Sequence, residues 1–154
     1  MRAFLRSFRY AFRGLRLCLR ERNFRFHIAL SAYMYGFLTA YDWFKLSRGE
    51  WAALFGVTAL VLAAEAVNTA IEAAVDLASP GRHPLAARAK DVAAAAVLLC
   101  GAGAVAVGLA LLYQPAAFAA MAGYYRAKPG MLGVFAVSLA PTVGFVLGIR
   151  KRRK

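Results

Sequence analysis

Long apolar runs separated by short polar segments dominate the chain. Three of these runs, residues 51–75, 92–113 and 131–149, approach or exceed the roughly 20 helical residues that cross a bilayer. A fourth run, residues 28–44, is shorter and more aromatic, and its Tyr and Trp residues suit a membrane interface. The pattern therefore predicts an all-α membrane protein with four transmembrane helices.

The residues before the first apolar run predict an amphipathic helix over about residues 1–27. Six arginines recur at alternating spacings of four and three, and a neighbouring stripe is apolar: Arg2, Arg6, Arg9, Arg13, Arg16 and Arg20 beside Leu5, Phe8, Phe12, Leu15 and Leu19. Such a helix lies in the plane of an anionic leaflet. Two interpretations stay open: a membrane anchor alone, or an anchor whose arginines also contact a nucleotide or lipid phosphate. Nucleic-acid binding is not expected, since membrane spans follow so closely.

Composition and charge agree with this picture. The chain is 62% hydrophobic and carries a formal net charge of +13, with 20 Lys and Arg residues. Sixteen of these lie in residues 1–25, 82–90 and 150–154, which four spans place on one side of the membrane. By the positive-inside rule that side is cytoplasmic, so both termini are expected in the cytoplasm.

A polar stripe occupies the carboxy-terminal end of the apolar run 51–75, the second run in chain order. In EAVNTAIEAAVD, residues 65–76, five polar residues share one helical face: Glu65, Asn68, Thr69, Glu72 and Asp76. Such a stripe must face protein or a water-filled cleft, because unpaired carboxylates are too costly in lipid. The acids also repel one another and need a cation nearby, and carboxylate and amide oxygens suit Mg²⁺.

Three interpretations of the stripe remain open from spacing alone. Its acids could pair structurally with a neighbouring helix, or they could form an ion or proton path through a small oligomeric conductor. They could also serve phosphoryl transfer, which needs a metal, a base and cationic groups on the transferred phosphate. The acids lie near the depth of lipid head groups, where a lipid hydroxyl would meet a water-soluble phosphate donor.

The stripe belongs to a longer set of motifs that resembles a known family. EAVNTAIEAAVDL (65–77), ARAKDVAAAAVLL (87–99), FRYAFRGL (8–15) and ERNFRFHI (21–28) are similar to the prokaryotic integral-membrane diacylglycerol kinase and undecaprenol kinase family. The resemblance runs from about residue 6 to about residue 113. It implies a multi-pass lipid kinase of the bacterial inner membrane, a homotrimer of three-span chains that uses ATP and Mg²⁺.

The resemblance also implies roles for individual residues. Glu65 matches the general base that takes the proton of the lipid hydroxyl, and Glu72 and Glu21 match the Mg²⁺ ligands. Asn68 and Asp76 match polar residues that shape the site. The implied ATP-binding residues are Tyr10, Glu21, Glu72, Gly81, Arg82, His83, Lys90 and Asp91.

The acceptor and the carboxy-terminal segment are less constrained. Asn23, Arg25 and His27 in ERNFRFHI are more similar to the undecaprenol kinase branch, typical of Gram-positive bacteria, with diacylglycerol as the alternative acceptor. The chain is expected to comprise a surface helix, 1–27, a three-span kinase core, 28–113, and an extra segment, 114–154, with a fourth span and a basic tail. Relatives usually end soon after the third span.

Overall fold

The computed structural model describes residues 2–148 and contains six α-helices and no strand within that range. The helices are α1 (Arg2–Cys18), α2 (Arg22–Ala40), α3 (Arg48–Ala78), α4 (Pro84–Leu112), α5 (Pro115–Ala127) and α6 (Gly130–Leu147). The prediction of an all-α fold is confirmed. The predicted basic tail, residues 150–154, lies outside the described residues.

Three helices, α3, α4 and α6, are long and apolar enough to cross a membrane. They coincide with the predicted spans 51–75, 92–113 and 131–149. Helix α3 begins earlier than predicted because Ser47 and Glu50 form a capping box, in which each side chain bonds the other residue's backbone N–H. Helix α4 also begins earlier, at Pro84, because proline suits the first position of a helix.

The helix that corresponds to the predicted span 28–44 has different limits. The helix at this position is α2, Arg22–Ala40, and it is not among the three helices that meet the length and hydropathy criteria for a span. Its first turns carry Arg22, Asn23 and Arg25, which lower its hydropathy and which the sequence analysis grouped with the surface helix. Its last turn ends before Tyr41, whose backbone is extended.

Helix α2 nevertheless lies along two of the apolar helices and runs antiparallel to both. On α3, His27 lies beside Glu65 near the start of α2, and Tyr35 Oη lies 2.8 Å from Thr58 Oγ1 farther along. On the other side, the Tyr33 hydroxyl donates a hydrogen bond to the main-chain oxygen of Ser138 in α6, at 2.8 Å. Helices α3 and α4 form an antiparallel hairpin. The arrangement is a group of four side-by-side helices.

One end of this group is aromatic, and we call it the aromatic end. Trp43 stacks on Tyr41 with ring centroids 4.1 Å apart, and Tyr124 of α5 packs edge-on against both rings. The Gln114 side chain bonds the backbone of Lys45 through both its oxygen and its nitrogen, at 3.1 Å each. Helix α5, which was not predicted from the sequence, closes this end. Tyr and Trp side chains are typical of a membrane interface.

Helix α1 lies at the opposite end, which we call the basic end. Its arginine spacing predicted a helix, and a helix covers Arg2–Cys18. The apolar side chains Phe8, Phe12 and Leu15 and the arginines beside them are exposed. Position on a membrane surface remains a proposal.

Candidate functional site

The polar stripe of α3 becomes more exposed as it approaches the basic end. Glu65 and Asn68 are buried, with relative exposures of 3% and 9%. Glu72, one turn farther, is partly buried, and Asp76 is exposed. The deepest carboxylate is therefore shielded from water, while the last one lies at the surface. This gradient suits a site at which a group from the apolar layer meets a group from the aqueous phase.

Glu65 has a partner on the neighbouring helix. His27 Nε2 of α2 lies 3.3 Å from Glu65 Oε1, and the two form an ion pair when the imidazole is protonated. The hydroxyl of Thr69 donates to the main-chain oxygen of Glu65 at 3.0 Å, so it does not compete for the carboxylate. From the sequence, His27 indicated only a branch of the family. The signal for its role was that an acid within a membrane requires a partner at the same depth.

Asn68 and Glu72 bring several oxygen atoms together. Asn68 Nδ2 donates to Glu72 Oε1 at 2.9 Å, which fixes the amide against the carboxylate. The amide oxygen of Asn68 is buried and has no hydrogen-bond partner among the described atoms. An unsatisfied buried acceptor of this kind calls for a bound cation or donor.

These oxygens fit a Mg²⁺ ion that is shared with a phosphate. Among the described side chains, no three from His, Cys, Asp and Glu are grouped closely enough to hold a metal by themselves. Mg²⁺ usually binds one or two protein carboxylates together with water and substrate phosphates, so a complete protein cage is not required. Glu72 lies on the same face of α3 as Glu65, two turns nearer the basic end, and Glu21 lies just before α2, the helix that carries His27. Glu21 precedes α2, where its side chain makes no capping hydrogen bond.

A cleft next to the stripe is formed by the connection between α3 and α4. Lys90 Nζ donates to Asp76 Oδ1 at 2.5 Å across it, and Gly81 and Arg82 line it. Its volume is about 510 Å³. His83 also lines the cleft, and its Nδ1 accepts the backbone N–H of Leu85 at 3.2 Å, so this residue caps α4. The predicted nucleotide loop and Lys90 are therefore brought together.

Two predicted nucleotide contacts lie apart from this cleft. Asp91 is exposed on α4 and is not among the residues that line the cleft. Tyr10 is 61% exposed on α1, with the Arg9 guanidinium 5.9 Å from its ring centroid. It shares a surface depression with Arg13 and Arg16. The structure thus groups Tyr10 with arginines rather than with the carboxylates of α3.

An apolar groove lies next to the pair formed by His27 and Glu65. Its volume is about 450 Å³, and it lies between α2, α3 and α4. His27, which contacts Glu65, forms part of its wall. The other residues that line it are Phe26, Leu30, Ser31, Met34, Leu54, Val57, Thr58, Val61, Gly101, Ala104, Val105 and Gly108. Small residues of α4 leave this space open, and His27 is the one ionisable side chain among the described residues that line it.

Three curated proteins are similar to this chain. The undecaprenol kinase of Bacillus subtilis is 40% identical over 115 residues, covering 73% of this chain and 89% of that protein. The diacylglycerol kinase of Synechocystis is 41% identical over 111 residues, covering 71% and 62% respectively. The diacylglycerol kinase of Pseudomonas aeruginosa is 40% identical over 92 residues, covering 60% and 68%. No solved structure shows a significant match to this chain.

The model of the prokaryotic diacylglycerol kinase family matches residues 9–112. This range agrees with the resemblance described from the sequence, and it contains the polar stripe, the cleft and the apolar groove. It ends before α5 and α6. The chain therefore belongs to the prokaryotic diacylglycerol kinase family, whose members are lipid kinases of the membrane.

Proposed function

We propose that this protein transfers the γ-phosphate of ATP to the hydroxyl group of a membrane lipid. Undecaprenol is the favoured acceptor and diacylglycerol the alternative. One observation carries the proposal: the buried carboxylate of Glu65, part of the polar stripe, contacts His27, which lines the apolar groove. Family membership supports a lipid kinase, and the relative from Bacillus subtilis is named an undecaprenol kinase.

The apolar groove suits the hydrocarbon part of the acceptor. Its wall is built from aliphatic and aromatic side chains such as Leu54, Val61 and Phe26. Contact of these side chains with a hydrocarbon chain instead of water lowers the free energy. Only its end at His27 is close to a carboxylate. A lipid chain in the groove would therefore place its terminal hydroxyl beside Glu65.

Glu65 then acts as general base on that hydroxyl. As the lipid oxygen forms a bond to the γ-phosphorus, the bond from this phosphorus to the β,γ-bridging oxygen breaks and ADP leaves. The hydroxyl proton moves to the Glu65 carboxylate. His27 holds this carboxylate in place at 3.3 Å and balances its charge when protonated. The low exposure of Glu65 keeps water away from the reacting group.

The nucleotide would lie along the more exposed part of the stripe. Glu72, Glu21 and the free amide oxygen of Asn68 would hold Mg²⁺, which neutralises charge on the phosphate oxygens when bound. Lys90 would contact phosphate from the cleft, and Asp76 orients its ammonium group. Gly81, Arg82 and His83 would contact the rest of the nucleotide, with Asp91 and Tyr10 as outer contacts.

The assembly we propose is a homotrimer in the bacterial cytoplasmic membrane, with both termini in the cytoplasm. Side chains of α4 such as Leu98, Leu99 and Leu109 are 65–74% exposed in the single chain and need lipid or another subunit to cover them. Helix α1 would lie on the anionic inner leaflet, with its arginines at the phosphates. The clustering of positive charge at the basic end supports this orientation.

The decisive experiment is transfer of labelled γ-phosphate from ATP by the purified protein in mixed micelles. Undecaprenol and diacylglycerol are offered in parallel under the same conditions. Label on undecaprenol supports the favoured acceptor, and label on diacylglycerol alone assigns the protein to the other branch. Label on neither lipid would exclude the proposal for both acceptors.

The matched control is the Glu65→Gln variant, which keeps the shape of the side chain and removes the base. We expect its transfer rate to fall by roughly 100-fold or more, the scale on which loss of a general base acts. Thermal protection by ATP is expected to persist, since Glu65 lies apart from the cleft. Normal lipid turnover by this variant would show that Glu65 is not the base.

A further inference from the structure

The carboxy-terminal end of α6 is joined to the start of α2 through one side chain. Arg25 Nε and Nη2 donate to the main-chain oxygen of Val146, at 3.2 and 3.0 Å. Arg25 Nη1 donates to the main-chain oxygens of Leu19 and Arg20, at 3.1 and 3.0 Å. A single guanidinium thus connects segments that are 121 residues apart in sequence.

The two acceptors on the amino-terminal side lie immediately before Glu21. The backbone there forms a tight turn, in which the N–H groups of Arg20 and Glu21 donate to Leu17 and Cys18, each at 2.9 Å. On the other side, Val146 lies in the last turn of α6, where unpaired carbonyls favour a cation. Hydrogen bonds from a charged donor are stronger than those between neutral groups. Arg25 is therefore well suited to fix the turn relative to α6.

Gly148 makes room for this contact. It caps α6 in the left-handed conformation, with φ of 57°. A Cβ atom at this position would lie 2.6 Å from Nη2 of Arg25, closer than the two atoms can approach. Glycine therefore serves two purposes here: it adopts the positive φ, and it admits the guanidinium against the end of the helix.

A separate contact holds α6 against α2 farther from the site. The Tyr33 hydroxyl lies 2.9 Å from Ser138 Oγ and 3.0 Å from Thr142 Oγ1, in addition to its bond to the Ser138 main chain. The rings of Phe37 and Phe135 pack edge-on with centroids 5.6 Å apart. Docking of α6 on α2 thus does not depend on Arg25 alone. The main structural effect of the Arg25 contact is therefore on the turn that precedes Glu21.

We infer that α6 positions Glu21 through Arg25, so that a helix outside the family-matched residues 9–112 contributes to the metal and nucleotide site. The inference rests on the proposed role of Glu21. Arg25 is a positioning residue in this arrangement, and the backbone of the turn transmits its effect to the Glu21 carboxylate.

Gly148→Ala tests the contribution of α6, because it displaces the guanidinium from Val146 and leaves Arg25 and Glu21 in the chain. Hydrogen exchange of the full chain in micelles is followed by mass spectrometry over residues 19–25. We expect exchange there to become about ten-fold faster, the scale of losing a hydrogen bond to a charged donor. We expect the Mg²⁺ concentration for half-maximal phosphate transfer to rise by a similar factor, with kcat changed by less than about two-fold.

Two further variants make the test specific. Arg25→Gln removes both sides of the contact and is expected to change exchange and Mg²⁺ dependence at least as much as Gly148→Ala. Tyr33→Phe weakens the docking of α6 at a position away from the turn. We expect it to leave hydrogen exchange over residues 19–25 and the Mg²⁺ dependence of phosphate transfer unchanged.

Two results would overturn the inference. In the first, Gly148→Ala makes hydrogen exchange faster in the last turn of α6, but exchange over residues 19–25 stays as in the wild type. The other is an unchanged Mg²⁺ titration in Arg25→Gln. If the wild-type protein transfers no phosphate to either lipid, the proposed function fails, whereas the exchange data still show whether α6 holds the turn.

Discussion

His27 provides a partner for the carboxylate of Glu65 within the apolar part of this fold. The glutamate is 3% exposed, and the imidazole of His27 on the adjacent helix lies in contact with it. Burial of an ionised carboxylate without a partner is costly, so the pair contributes to the stability of the α2–α3 contact as well as to chemistry.

We expect His27→Ala to lower the free energy of unfolding by about 1–3 kcal/mol, because the buried Glu65 carboxylate loses its partner. In a Glu65→Gln background the same substitution should cost less, since the neutral amide does not need a charged partner. Thermal unfolding of the four proteins in micelles, treated as a double-mutant cycle, measures the difference. Equal costs in both backgrounds would show that the two side chains do not interact.

Glu72 is expected to control the response to metal. Its carboxylate accepts a hydrogen bond from Asn68 and lies on the more exposed part of the stripe. Glu72→Gln should weaken ATP binding and abolish the dependence of phosphate transfer on Mg²⁺, because a formal charge is lost from the ion's surroundings. A Mg²⁺ titration identical to that of the wild type would remove Glu72 from the metal site.

The residues of the stripe were predictable because spacings of three and four place side chains on one face of any helix. Their partners were harder to find. His27 precedes Glu65 by 38 positions, and no local pattern connects them. The contact of Arg25 with Val146 depends on how α6 docks, which periodicity does not encode. Asp91 and Tyr10 came from the family resemblance and lie apart from the cleft.

At the scale of elements, the connection between α3 and α4 forms a cleft that is crossed by the ion pair between Lys90 and Asp76. This pair contributes little to the free energy of unfolding. Lys90 and Asp76 are 36% and 68% exposed, and pairs as accessible as this contribute at most about 1 kcal/mol. Their interaction therefore matters more for orienting the ammonium group than for holding the hairpin together.

Lys90→Met should leave the free energy of unfolding within about 1 kcal/mol of the wild type, since only a surface pair is lost. The same variant should bind ATP more weakly, because a cation is removed from the cleft. Arg88→Met is the matched control: Arg88 is an exposed cation on the same helix and does not line the cleft. Equal ATP affinity in the two variants would argue against a phosphate contact by Lys90.

Apolar helices were predicted well and the elements between them were not. Helices α3, α4 and α6 are specified by long runs of apolar residues, which a bilayer requires. Helix α2 mixes Arg25 and His27 with apolar residues, because it contacts the site as well as its neighbours, and its limits were misplaced. Helix α5 has only 13 residues, and its tyrosines pack against Tyr41 and Trp43 from a distant segment.

At the scale of the whole molecule, the two ends differ in chemistry. The basic end carries α1, Lys90 and the cleft, and the aromatic end carries the rings of α5 and of residues 41–44. Sixteen of the 20 Lys and Arg residues belong by sequence to the basic side. The charge distribution therefore attracts soluble anions to one face of the molecule.

A ligand that binds the folded state at this face should protect the whole fold against heat. We expect Mg²⁺ with a non-hydrolysable ATP analogue to stabilise the wild-type protein by about 2.7 kcal/mol when the ligand is at 100 times its Kd. Adenosine, which lacks phosphates, is the control and should protect much less. A small ion conductor that used the Glu65 to Asp76 stripe as its path would show no protection by either compound.

The aromatic end also contains both tryptophans of the chain, Trp43 and Trp51. Tryptophan fluorescence of this protein therefore originates at the end opposite the cleft between α3 and α4, with no label required. Iodide added outside sealed vesicles reaches the half-buried ring of Trp43 only in molecules whose aromatic end points outward. The quenched fraction of the emission, divided by the fraction quenched after detergent opens the vesicles, gives the proportion of reconstituted molecules whose aromatic end points outward.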